Sequence, residues 1–156
     1  MDSNNSNNDI NIYKYKYVDI KKINITDFEI KYDKNNFFIQ SPIFIDYEIQ
    51  NINFKKYMIL KFDYTKPSHI KFLTLIDSLE IKLNNYIKNK IVKTQIITNI
   101  QDIKSLKTKL SQNTVYFDMD KNKVNKLHSN KISLLFKLEF YNYYYSWNIL
   151  QILQLN

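Results

Sequence analysis

The sequence predicts a mainly β domain with one or two helices, and three observations carry that reading. The first is the opening half of the stretch Lys131 to Leu155. There Ile132, Leu134, Phe136, Leu138 and Phe140 alternate with Ser133, Lys137 and Glu139. A period of two marks a half-buried strand, because successive side chains leave opposite faces of the pleat. The second is the run Trp147 to Leu155, apolar on both faces as in a strand covered on both sides. The third is the spacing of Phe72, Ile76, Leu79, Leu83 and Ile87, one apolar stripe for a helix from about Ser68 to Lys88 packed on a sheet.

Taken in order, residues 1–9 are Ser/Asn-rich and expected to form a disordered tail ahead of a single domain, 10–156. INIYKYKYVDI alternates Tyr13, Tyr15 and Tyr17 with Lys14 and Lys16. It reads as an edge strand guarded by lysines, with direct ligand contact as the other reading. Ile23 to Tyr32 and Asn36 to Asp46 read as strands joined by Asp33, Lys34, Asn35 and Asn36, since Asn and Asp best tolerate the positive φ such turns need. Pro42 cannot donate to a ladder and implies an edge or a bulge. Lys55 to Asp63 is a further strand with Met58, Leu60 and Phe62 inward. Pro67 suits the first turn of the helix, and Thr65 or Ser68 can cap it. After a short run, Ile91 to Thr98, a second, weaker helix is expected through Ile100, Ile103, Leu106 and Leu110, with Lys104, Lys107 and Lys109 on its other faces. Thr114 to Met119 reads as a strand, and Asp120 to Asn125 as the turn leading into the final hairpin.

Composition narrows the chemistry. No apolar run approaches the roughly 18 residues of a membrane span, and the N-terminus lacks the pattern of a signal peptide, so an intracellular protein is expected. The chain has no Cys, Gly, Ala or Arg, while Ile, Lys, Asn and Tyr abound, as an AT-rich genome would supply. The absence of glycine removes phosphate-cradling loops and dinucleotide fingerprints, and no cysteine is there to ligate metal or attack a substrate. His69 and His128 stand isolated among Lys, Ser and Asn and read as exposed. Asp118 and Asp120 could share a strand face and hold Mg²⁺ for a nuclease, but a polar turn is the better reading. The expectation is therefore a protein that is not an enzyme and has no cofactor, no metal and no small-molecule substrate.

Binding remains. The net charge of +8 is unevenly spread: residues 1–85 carry 12 Lys and 11 acids, whereas residues 86–137 carry 11 Lys and three acids, Asp102, Asp118 and Asp120. Codon bias does not remove acids from one segment, so the polarity is an electrostatic clue. Binders of single strands join a cationic track to aromatic platforms for the bases. The platform candidates are Tyr143, Tyr144, Tyr145 and Trp147 in YNYYYSW. The phosphate candidates are Lys104, Lys107, Lys109, Lys121, Lys123, Lys126 and Lys131. Trp147 and about half of the tyrosines also suit core packing, although three consecutive tyrosines cannot all face inward on one strand. The lack of Arg speaks against base-specific readout.

The order FFIQSPIFI, KYMILKFD, FLTLIDSLEIKL, VYFDMDKNKV and LLFKLEFYNYYYSWNILQIL, over about residues 20–155, resembles a family of small single-stranded DNA-binding proteins of nucleocytoplasmic large DNA viruses, related to the phage-type OB-fold proteins. SWNILQI resembles that family's terminal strand. The resemblance implies an OB-like Greek-key barrel, a homodimer, and nonspecific coating of single-stranded DNA during viral replication or recombination in the host cell or virion. The phage relatives end in an acidic tail that recruits replication enzymes. This sequence stops at Asn156 without one, so tail-mediated recruitment is not expected. The rival reading is a virion structural or protein-interaction protein using the same surface.

Overall fold

The computed structural model describes residues 11–26, 29–87, 90–141 and 144–156; the expected tail lies outside them. Twelve strands are present among these residues: β1 (Ile12–Lys14), β2 (Ile23–Ile25), β3 (Ile30–Tyr32), β4 (Asn35–Asn36), β5 (Phe38–Gln40), β6 (Tyr47–Ile52), β7 (Lys55–Lys61), β8 (Ile96–Thr98), β9 (Lys104–Phe117), β10 (Lys123–Val124), β11 (Lys131–Tyr141) and β12 (Tyr144–Leu155). One α-helix, α1 (Pro67–Tyr86), joins β7 to β8.

The final hairpin is the spine. β11 and β12 pair from Lys131–Leu155 to Tyr141–Tyr144, with one irregularity beside Leu135 and Phe136. The five alternating apolar residues of β11 are each exposed by 2% or less. β12 pairs on its other side with β9, in parallel. Trp147, Ile149 and Ile152 are buried in the core, whereas Leu150, Leu153 and Leu155 are only half-buried. The far face is thus less covered than the apolar run suggested.

The large sheet runs β1-β5-β11-β12-β9-β7-β6, with β8 and β10 attached to β9, and β2-β3-β4 form a second, smaller sheet. The expected barrel is not closed: β1 and β6 stand at opposite ends of the order. Two local features keep β1 and β5 short. β1 gives way after Lys14 to a 3₁₀ turn, Tyr15–Tyr17. β5 stops at Gln40 ahead of Pro42, after which only Phe44 bridges to Ile132.

The second helix is absent among the described residues. Its place is taken by β9, whose Leu106, Thr108 and Leu110 point inward and whose Lys107 and Lys109 point outward. Spacings that fit a weak helix also fit alternation, and pairing with β7 and β12 settles the matter in favour of a strand. β6 is an additional strand, folded on β7 through Asn53 and Phe54 at φ 49° and 64°. Asp33 and Lys34 turn the β3–β4 hairpin in the same left-handed conformation.

α1 starts at Pro67 with no side-chain cap, and neither Thr65 nor Ser68 serves as one; Asp63 instead accepts hydrogen bonds from the Thr65 N–H and hydroxyl. The helix buries Phe72, Leu73, Ile76, Leu79 and Leu83. Phe72 meets Trp147 edge-on at 5.7 Å. His69 is buried rather than exposed: Asp63 N–H donates to Nδ1 at 2.9 Å, and Nε2 lies 2.8 Å from the Ile43 carbonyl. No helix among the described residues is long and apolar enough to cross a membrane.

Candidate nucleic-acid interface

The face of the large sheet turned away from α1 is where cations and rings collect. Register places Phe38 opposite Lys137, Lys137 opposite Asn148, Asn148 opposite Lys109, and Lys109 opposite Tyr57. Paired residues share a face, so these five form one row across β5, β11, β12, β9 and β7. The three strand steps from Lys137 to Tyr57 span about 14 Å. Lys107, two residues along β9 from Lys109, holds its ammonium 4.6 Å from the centre of the Tyr57 ring, a cation–π contact that orients both groups.

Tyr144 stands beside this row. It is 39% exposed, and burial pushes its phenol above the ordinary range, with the neighbouring Tyr57 adding to the effect. A hollow of about 430 Å³ is lined by Lys109, Lys137, Glu139, Tyr141, Tyr144 and Ser146, among others. Two carboxylates oppose the lysines there, Glu139 and Glu29, and the second is paired with Lys31 at 2.8 Å. Lys93, exposed, is bridged through its backbone to Tyr144. Among the described residues, Lys93, Lys107, Lys109 and Lys137 make no ion pair. Asn148 accepts from the Ser146 hydroxyl at 3.2 Å, while its Nδ2 is buried without a partner.

Two of the four ring candidates are not available as platforms. Trp147 and Tyr145 are both fully buried. Trp147 packs edge-on against Phe72 and Phe136, and the Tyr145 hydroxyl donates to Glu80 Oε1 on α1. Alternation explains this: Tyr145 and Trp147 share the inward face of β12, which leaves Tyr144 on the other. Tyr143 lies outside the described residues.

The lysine candidates divide into groups. Lys107 and Lys109 lie in or beside the row. Lys104, of opposite parity on β9, faces the helix side, where its charge acts on Asp77; burial holds that carboxyl above its usual range and Lys104 pulls it down. Lys121 and Lys123 share the open face but sit at its far end. Lys123 pairs with Phe117, and Lys121 lines an apolar hollow of about 270 Å³ with Ile12, Phe117, Leu135 and Leu153. Lys109 is paired with Asn148 and Phe117 with Leu153, which puts them roughly 16 Å apart along the sheet. Lys131 donates from Nζ to the Asn156 carbonyl at 2.9 Å, and Lys126 lies outside the paired rows, its carbonyl accepting from Gln154 Nε2.

The sequence reading passed over Tyr57 and Lys137, two members of the row. Both signals were present: Lys137 lies opposite the apolar set of β11, and Tyr57 opposite Met58 and Leu60. The Asp118–Asp120 pair is a turn. Asp118 accepts from the Asn122 N–H at 2.8 Å and from its Nδ2 at 3.2 Å, while Asp120 is exposed. Among the described residues, no three His, Asp or Glu side chains lie close enough to hold a metal ion.

No protein-family model and no curated protein matches the chain. Among solved structures, the fold is similar to the single-stranded DNA-binding protein from bacteriophage Enc34, at 13% identity and a TM-score of 0.46 over 84% of this chain and 86% of that one. A C-terminal truncation of the same phage protein gives 12% and 0.48 over 86% and 93%, and its complex with single-stranded DNA gives 10% and 0.47 over 85% and 93%.

Proposed function

We propose that the open face of the large sheet binds single-stranded DNA without sequence preference. The observation that supports this most is the row Phe38, Lys137, Asn148, Lys109 and Tyr57, with Lys107 and Tyr144 beside it. It puts ammonium groups and rings side by side on one accessible surface, the combination that neutralises a phosphate backbone while offering bases a stacking partner. Lysine supplies charge without the planar fork that reads base edges, so the surface suits any sequence. The groups have no acid–base pair, nucleophile or metal cluster among them, and the reading is one of binding rather than catalysis.

The biological setting follows from the sequence resemblance: coating of strands exposed during viral DNA replication or recombination, on an OB-like scaffold. The test is an anisotropy titration of labelled oligo-dT at several salt concentrations. Binding should be tight at low salt and weaken with a log–log slope near −0.7 per phosphate neutralised. Absence of binding at low salt overturns the reading.

A further inference from the structure

The β6–β7 hairpin carries a residue that its own fold does not explain. Asn53 and Phe54 occupy a two-residue turn with both φ values positive, the geometry that favours Asn-Gly. A bulky residue there crowds its Cβ against the backbone. The described residues have six positive-φ positions, and the other five are Asp, Asn or Lys. Codon bias accounts for the missing glycine but not for phenylalanine, because Asn and Lys have codons just as AT-rich and serve the other turns. Phe54 is also fully exposed. It combines an unfavourable backbone with an unburied ring, and nothing in the folded chain offsets either.

Its position suggests what does. Residues 52–55 extend past Lys56–Leu110, the last rung between β7 and β9. Lys55 shares a face with Tyr57, two residues on, and so continues the charged row toward the tip. No acid occurs anywhere in residues 49–62. Phe54 stands about 10 Å along the hairpin from Tyr57, followed directly in sequence by Lys55 and Lys56.

We infer that Phe54 is a stacking finger: its ring packs on a base of the single strand whose backbone lies on Lys55 and the Lys109–Lys137 row. This rests on the proposed binding function and adds a contact to it. A polyanion fits the site better than a protein groove does, because the ring is followed by two lysines on a hairpin whose residues 49–62 hold no carboxylate.

The test compares wild-type protein with Phe54→Gly and Phe54→Trp. Glycine relieves the turn, so the melting temperature should hold or rise while oligo-dT affinity falls about tenfold, with the salt slope unchanged. In Phe54→Trp the added indole is exposed whereas Trp147 is buried, so quenching on oligo-dT addition reports stacking at the tip. Unchanged affinity in Phe54→Gly, with an unquenched Phe54→Trp, overturns the finger and leaves the binding function standing. Loss of self-association in Phe54→Gly at unchanged affinity overturns it too, in favour of docking to a second copy. If the wild-type chain fails to bind, the function itself falls, and the finger with it.

Discussion

Tyr144, Tyr145 and Trp147 in YNYYYSW differ in fate because a strand gives alternate residues to alternate faces. Tyr144 stays at the surface beside Tyr57, while Trp147, two places beyond Tyr145, is fixed between Phe72 and Phe136. The two positions should therefore respond oppositely to truncation. Tyr144→Ala removes a platform and is expected to weaken oligo-dT binding about tenfold, within the 1–3 kcal/mol of one stacked base, with little change in stability. Trp147→Ala opens a cavity and is expected to cost about 3–5 kcal/mol of stability. Denaturant titration and anisotropy on the two variants check this. Equal loss of binding in both, at native stability, would contradict the assignment.

At the scale of elements, α1 is held to the sheet by one polar clasp amid apolar packing. Glu80 Oε1 accepts from the Tyr145 hydroxyl, from the Thr94 hydroxyl at 2.8 Å and from the Gln95 N–H at 3.2 Å. Burial first, and the Glu80 charge second, push the Tyr145 phenol well above its ordinary range. The sign follows directly. Below about pH 10 the phenol is protonated in both states and has no differential effect. Above it the unfolded chain ionises and the folded chain does not, so stability falls with pH, by up to about 1.4 kcal/mol per unit for this group. Tyr145→Phe should flatten that alkaline loss in denaturant titrations at neutral pH and above pH 10; an equally steep loss would contradict the clasp. The same scale shows what the sequence could reveal. β11, β7 and α1 were legible because each buries a run of apolar residues on one face, in a period of two or of three to four. β9 was not, since Leu106 and Leu110 set against Lys107 and Lys109 fit either period, Lys104 breaks the alternation, and only its partners choose between them. β6 was missed because its one-sided burial is slight: five of its six residues are exposed.

At the scale of the molecule, an open sheet with its helix on one side leaves the other side free, and register there brings together lysines far apart in sequence. Lys109 and Lys137 are 28 positions apart yet flank Asn148. The sequence located the basic segment but could not say which lysines share a face, because that depends on pairing between β9, β11 and β12. Lys104 shows the consequence: it lies in the basic segment yet faces the opposite side, toward Asp77. The most direct test is the salt dependence of oligo-dT affinity for wild type, for the Lys109→Ala/Lys137→Ala double variant and for Lys104→Ala. If the row carries the phosphates, the double variant's log–log slope should be shallower by about 1.4, two contacts at roughly 0.7 each, while Lys104→Ala keeps the wild-type slope. Equal slopes for all three proteins would contradict it.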